Sequence, residues 1–142
     1  MISYWLVSKK NNGIRSAIES VFLVNVNDEF DEVILMIGKS VRVIVDRPLG
    51  TYHPNHKDIY YSVNYGYIQG VNAPDGEEQD AYILGIDKPI KEFNGKVIAI
   101  IHRFDDVEEK WVVAPHGTTF SKDEIMQQVA FQERFFKTEI RM

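Results

Sequence analysis

Two short segments of the 142-residue sequence concentrate carboxylate side chains. Their members are Asp75, Glu77, Glu78 and Asp80 in DGEEQD, and Asp105, Asp106, Glu108 and Glu109 in DDVEE. These eight account for over a third of the 21 acidic residues, and without them the net charge of −5 would become positive. Carboxylates that crowd one place repel each other unless cations neutralise them. The two acidic segments are therefore either solvated turns or parts of one cation site.

Strand-like apolar runs flank both acidic segments, so neighbouring strands could bring the two together. Oxygen ligands in a chain without cysteine favour a hard cation, Mg²⁺ first and Mn²⁺ second. Several carboxylates at one site suit two or more metals, which activate water and bind phosphoryl oxygens. The alternative, that each segment is only a polar hairpin turn, is equally open at this point.

Basic and hydroxyl side chains close to the acidic segments could bind an anion. Lys110 begins the strand after the second segment and is the best candidate, with a salt bridge to Glu108 or Asp106 as the equal alternative. A tyrosine-rich run, YYSVNYGY, precedes the first segment; its hydroxyls could bind phosphate, although an ordinary aromatic strand is the simpler interpretation. Other candidate phosphate ligands are Arg42, Arg47, His53, His56, Lys57 and Arg103.

Composition excludes several classes of protein. With 44% hydrophobic and 26% charged residues the chain is globular, and its length predicts one domain, residues 1–142. The acidic balance argues against a nucleic-acid partner. The sequence contains no apolar run of membrane-spanning length and no secretory leader pattern, so we expect no membrane association and a cytoplasmic protein.

The elements that would position these side chains are mainly strands. Short β-branched or aromatic runs bounded by turn-forming residues predict five strands, at residues 41–45, 60–68, 80–86, 97–102 and 111–114. Five such strands suggest a small antiparallel barrel or sandwich.

The last segment predicts a helix. Ser121 and Glu124 have the spacing of a capping box, so the helix should begin near Lys122 and run to about Phe136. Residues 1–40 are harder to assign: residues 4–7 and 33–37 could be strands, and residues 13–26 a helix or a helix followed by a strand.

Taken together, three blocks resemble the soluble family I inorganic pyrophosphatases: VIVDRP at residues 43–48, VNYGYI at residues 63–68 and DGEEQD at residues 75–80. Residues 105–110 and the strand ending at Pro115 extend the resemblance, which covers about residues 40–137. It implies a mainly β (α+β) fold, a five-stranded OB-like closed barrel with a C-terminal helix, here with an extra N-terminal segment. It also implies an enzyme that hydrolyses pyrophosphate to two phosphates with Mg²⁺.

The resemblance also implies roles for individual residues. Metal ligands would be Asp46, Asp75, Asp80, Asp105 and Glu108. Catalytic residues would be Glu77, in the place of the carboxylate that takes a proton from the attacking water, with Tyr65 and Lys110. Substrate ligands would be Arg47, Lys57, Tyr65, Lys110 and Lys137.

The sequence departs from the family pattern in four places. Glu77 and Glu108 stand where the family carries aspartate, and an extra methylene displaces a carboxylate by ~1.5 Å, enough to spoil a positioned base. The stretch between Pro48 and Tyr60 is shortened and lacks the hairpin that carries a phosphate-binding arginine in the family. Substitutes for that arginine could be Arg47, His56 or Lys57. The tyrosine of the family's C-terminal Tyr-Lys pair is absent, which leaves Lys137.

These observations favour a Mg²⁺-dependent inorganic diphosphatase with a small-molecule substrate. Two alternatives stay open: a hydrolase of another phosphoanhydride, and a non-catalytic OB-like module that binds a phosphorylated ligand. Relatives in the family are often oligomers, so a homo-oligomer is also an expectation.

Overall fold

The computed structural model describes residues 35–142, and all of these except Leu35 belong to one compact unit, Met36–Met142. Its elements are strands β1 (Ser40–Arg47), β2 (Asn64–Asn72), β3 (Glu78–Ile83), β4 (Glu92–Arg103) and β5 (Glu109–Ala114), helix α1 (Lys122–Glu133) and strand β6 (Thr138–Arg141). The segments predicted at residues 4–7 and 13–26 lie outside the described residues. Residues 35–38 form a turn, so the strand considered at residues 33–37 does not continue into the described part.

The first five strands close into a barrel, as expected from the sequence. They follow the order β1-β2-β3-β5-β4, β4 pairs back to β1, and β6 adds to the outer edge of β4. All pairings are antiparallel except β3 with β5, which are parallel. The barrel is therefore mixed rather than purely antiparallel, because β4 lies between β3 and β5 in the chain and returns the backbone to its starting end.

Strand β4 makes closure possible. It has 12 residues; its first part pairs with β1, and its second part pairs with β5 and β6. The register shifts between Val97 and Ala99, and such an irregularity bends a strand and increases its twist. A bent, twisted strand can contribute to both sides of a small closed barrel.

Gly66 fixes the distance between β1 and β2. A Cβ atom placed on Gly66 would lie 1.9 Å from the carbonyl oxygen of Ile44 and 2.8 Å from the Cα of Val45. Both contacts are with backbone, which cannot turn aside as a side chain can. Glycine is therefore required for the close pairing of these two strands.

Helix α1 packs against the barrel core and begins as predicted. The amide of Glu124 donates to the Ser121 hydroxyl (3.1 Å), and the amide of Ser121 donates to the Glu124 carboxylate (2.8 Å). Ile125 and Val129, one helical turn apart, are fully buried in the core. Burial of this apolar stripe, more than intrinsic helix propensity, fixes the helix on the barrel.

Several predicted boundaries differ from the structure, among them the start of β4, which lies at Glu92 rather than at residue 97. Helix α1 ends at Glu133 rather than near Phe136, because the chain turns there to enter β6, a strand that the sequence analysis missed. Strand β2 begins at Asn64 rather than at Tyr60, which forms only an isolated bridge with Tyr52. In residues 35–142 the structure has no helix with the length and apolar character needed to cross a bilayer.

Candidate functional site

A cavity of about 480 Å³ opens where β1, β3 and β5 meet the β1–β2 connection and the turn after α1. Its lining is rich in charged and aromatic side chains: Asp46, Arg47, His53, His56, Asp58, Ile59, Tyr65, Asp80, Arg103, Lys110, Gln132, Phe135 and Phe136. Five of the residues predicted for the site are among them: Asp46, Arg47, Tyr65, Asp80 and Lys110.

Lys110 joins the two acidic segments. Since β3 and β5 are parallel neighbours, Asp80 and Lys110 lie side by side, and the ammonium group is 2.6 Å from the Asp80 carboxylate and 2.8 Å from that of Glu108. Burial by itself lowers the pKa of Lys110, but the adjacent Tyr65 and Asp80 outweigh it, and the pKa lies above its ordinary value. The salt bridge to Glu108 that the sequence left open is therefore present, and the buried Lys110 side chain contacts two partly exposed carboxylates.

The remaining predicted carboxylates lie outside the cavity. Asp75 and Glu77 are exposed in the β2–β3 turn, where the Asp75 carboxylate accepts a hydrogen bond from the Glu77 amide (2.9 Å). Asp105 accepts one from the backbone amide of Lys137 (3.2 Å). Hydrogen bonds from backbone amides thus use part of the hydrogen-bonding capacity of Asp75 and Asp105.

The donor set does not fit a metal ion held by protein ligands alone. Across residues 35–142, no three carboxylate or imidazole side chains come close enough together to bind one ion. Asp46 and Asp80 are the two predicted metal ligands that line the cavity, and the Asp80 carboxylate already contacts an ammonium group. The assignment of the five metal ligands and of Glu77 as the base stays a prediction.

Arg47 presents positive charge to the cavity without a carboxylate partner among the described residues. Its guanidinium donates to the neutral hydroxyl of Tyr61 (2.7 Å) and lies 5.7 Å and 5.8 Å from the ring centres of Tyr61 and Tyr65. Burial raises the pKa of Asp46, a rise that Arg47 opposes and Asp80 adds to. The cavity thus holds a half-buried arginine with free donors.

A chain of hydrogen bonds runs from this arginine into the core. Tyr61 donates to the side-chain oxygen of Gln132 (2.6 Å), and the Gln132 amide donates to the Tyr82 hydroxyl (2.7 Å). Tyr82 in turn donates to Glu133 (2.5 Å), and burial and Glu133 both raise the pKa of Tyr82. Every hydroxyl in the chain both accepts and donates, which orients the Arg47 guanidinium at the cavity wall.

Arg103 closes the other end of the network. Its Nε and Nη2 atoms donate to the two oxygens of Glu133 at 3.0 Å and 2.7 Å, a bidentate pair in which both side chains are buried. The guanidinium also lies 3.7 Å from the ring centre of Phe136. Two cavity arginines are therefore held by one buried network.

Gln132 and Glu133 are not among the site residues predicted from the sequence. A polar pair at the end of an amphipathic helix is usually solvent-exposed, which hid their role. Their spacing was the available signal, because they lie seven and eight positions after Ile125 and so share the buried face of the helix.

The other candidate ligands divide into two groups. His53 and His56 line the cavity, whereas Arg42 forms an exposed ion pair with Glu92. The exposed residues Lys57 and Lys137 are not part of the cavity lining. The structure therefore gathers the histidines, but not these lysines, with Arg47 and Lys110.

The fold is similar to that of several inorganic pyrophosphatases of known structure. No family model matches the sequence, and no curated protein matches it. Among solved structures, the inorganic pyrophosphatase from Ehrlichia chaffeensis has a TM-score of 0.58 at 14% identity, over 74% of this chain and 86% of that one. The inorganic pyrophosphatase from Neisseria gonorrhoeae has a TM-score of 0.53 at 19% identity, over 66% of this chain and 72% of that one. The one from Coxiella burnetii has a TM-score of 0.52 at 14% identity, over 74% of this chain and 85% of that one.

Proposed function

We propose that this protein binds inorganic pyrophosphate in the cavity and hydrolyses it to two phosphates. The main support is that two positively charged side chains, Arg47 and Lys110, line the same cavity. The barrel that holds this cavity has a fold similar to that of an inorganic pyrophosphatase. Fixed cations in a partly dry cavity bind a compact polyanion more strongly than exposed ones do. The fold relationship supports the choice of diphosphate over other anions.

The cavity residues have distinct parts in this proposal. Arg47 offers a planar pair of donors to one phosphate group, while Lys110 attracts the other as a point charge. Burial raises the pKa of the Tyr65 hydroxyl, against the opposing effect of Lys110, so this group stays protonated and can donate to a phosphate oxygen. Asp80 holds the Lys110 ammonium in place.

A Mg²⁺ requirement, with Mn²⁺ as a substitute, is the further part of the proposal. When bound, such an ion neutralises phosphate charge and lowers the pKa of a coordinated water. Because three protein ligands do not converge among the described residues, we assign no catalytic step to the metal. A cytoplasmic location and a homo-oligomeric state, the latter expected from the family resemblance, are likewise proposals.

The test is phosphate release from pyrophosphate by the purified full chain, measured with Mg²⁺, with Mn²⁺ and with a chelator. Binding is measured in parallel by calorimetry. Arg47→Met and Lys110→Met should each weaken binding, since a charge-assisted hydrogen bond contributes about 1.5–3 kcal/mol. Arg42→Met is the matched control, because its exposed pair with Glu92 lies outside the cavity. Absence of both binding and phosphate release would overturn the proposal.

A non-catalytic module that binds a phosphorylated ligand is the second candidate. The occupation of the Asp80 and Glu108 carboxylates by Lys110 favours it, because these side chains are then unavailable to a metal unless the ammonium moves. Binding of pyrophosphate that Arg47→Met weakens, without phosphate release under any metal condition, would select this candidate over the hydrolase.

A further inference from the structure

The cavity is larger than a pyrophosphate ion requires, and its lining combines charged with aromatic side chains. Cavities of about 300–1,000 Å³ typically hold organic molecules of drug size, and this one measures about 480 Å³. Arg47, Lys110 and Asp80 make one part polar and charged. A second part of the lining consists of rings and an apolar side chain, His53, His56, Ile59 and Phe135, and the lining also includes the charged residues Asp46, Asp58 and Arg103.

Backbone hydrogen bonds hold the histidines of this second part in place. The amide of His53 donates to the Ile59 carbonyl and the amide of Ile59 to the His56 carbonyl, both at 2.9 Å. The amide of Tyr61 donates to the Thr51 carbonyl at 2.8 Å. The connection between β1 and β2 is therefore folded back on itself, and its imidazoles form a preformed wall.

This wall presents flat ring surfaces. The rings of His53 and His56 are centred 4.8 Å apart, and His53 stacks on Tyr61 at 6.4 Å with an angle of 20° between the planes. The pKa of His53 is lowered by burial and by the nearby Arg47, which favours a neutral ring. A neutral imidazole surface suits a planar organic group better than a second anion.

Phe135 adds an aromatic surface that the protein covers only in part, with the Arg134 guanidinium 4.9 Å from the ring centre. It lines the cavity, yet 49% of it is exposed to solvent. An inorganic diphosphate held by Arg47 and Lys110 offers no apolar surface to cover this ring. Stacking of a nucleic-acid base on an aromatic side chain contributes about 1–3 kcal/mol and tolerates different bases, because each base has a π-face.

We propose that the cavity takes an organic diphosphate of the nucleoside diphosphate class. The diphosphate lies at Arg47 and Lys110, and the planar base lies against Phe135, His53 and His56. This inference rests on the proposed function for the diphosphate end and extends it with a second, base-binding end.

The test compares the dissociation constants of ADP, UDP and inorganic pyrophosphate for the full chain in buffer containing Mg²⁺. We expect both nucleotides to bind at least about fivefold more tightly than pyrophosphate, which corresponds to the lower end of the free energy of one stacking contact. Phe135→Ala should bring this ratio towards one. Phe104→Ala is the control, since Phe104 is 54% exposed and does not line the cavity, and it should leave the ratio as it is.

The outcomes separate the inference from the function on which it rests. If pyrophosphate binds and the nucleotides bind no more tightly, the base-binding end is overturned and the proposed function stands. A nucleotide preference that survives in Phe135→Ala also overturns it, because the base then lies elsewhere. If neither pyrophosphate nor a nucleotide binds, both proposals fail together.

Discussion

The buried pair of Arg103 and Glu133 is expected to be a principal determinant of stability. Glu133 has no exposed side-chain surface and accepts two hydrogen bonds from Arg103 and one from Tyr82. Glu133→Gln keeps the size of the side chain and an oxygen for Tyr82, so it creates no cavity. It removes the charge that neutralises a buried guanidinium.

The size of the effect follows from what remains around Arg103. Breaking a buried ion pair by removing one partner costs about 3–5 kcal/mol. Arg103 Nη1 lies 3.4 Å from Asp106 and 3.5 Å from Glu108, which are partly exposed and compensate in part. We therefore expect a loss of about 3 kcal/mol in the free energy of unfolding, a large share of the about 5–15 kcal/mol typical of a domain.

Urea unfolding followed by circular dichroism measures this loss. With a slope of about 1–3 kcal/mol per M, the midpoint should fall by about 1 M or more. Glu139→Gln is the control, since the pair of Glu139 with Arg141 is partly exposed and such pairs contribute about 0–1 kcal/mol. Arg103→Met combined with Glu133→Gln should cost less than the sum of the two single changes, because no unpaired charge remains. A loss below about 1 kcal/mol for Glu133→Gln, or strict additivity in the double variant, would refute the reasoning.

Three further perturbations test local features. Ser121→Ala removes the helix cap and should lower the free energy of unfolding by about 1 kcal/mol in urea titrations. Gly66→Ala should abolish soluble folding or destabilise the barrel severely, because its Cβ would meet the Ile44 carbonyl oxygen at 1.9 Å; expression and thermal unfolding measure this. His53 should titrate by NMR below its ordinary pKa of 6.5, owing first to burial and then to Arg47, and Arg47→Met should raise that pKa. Because the folded wild-type protein binds fewer protons at His53 than the unfolded chain does, the stability that this neutral ring contributes is present above about pH 6.5. It should be lost as the pH falls through the lowered pKa.

Each of these has a contradicting result. Wild-type stability in Ser121→Ala would show that the cap contributes nothing. A soluble Gly66→Ala variant as stable as Gln69→Ala, an exposed change on the same strand, would show that β1 and β2 are not packed so closely. An unaltered His53 titration in Arg47→Met would remove the guanidinium as a cause of the pKa shift.

Much of the fold could be predicted from local pattern. Runs of β-branched residues predict the cores of strands β1, β3, β4 and β5. The side chains of Ser121 and Glu124 predict the start of α1. Both signals act over only a few residues along the chain. Strand β6 could not be predicted in this way, because the residues of Thr138–Arg141 pair with β4 and gain their conformation only from that partner.

Residue types and their spacing along the chain show which groups are charged and that they lie near strands, and the blocks around Asn64–Asn72 and Glu78–Ile83 indicate the barrel. Which of these charges meet depends on the pairing of the strands in the folded barrel. The parallel pairing of β3 with β5 places Lys110 against Asp80, while the β2–β3 turn keeps Asp75 exposed and outside the cavity. Two charges interact strongly only when they lie within a few ångströms of each other. Residue type and spacing along the chain do not set the distance between strands that are remote in sequence.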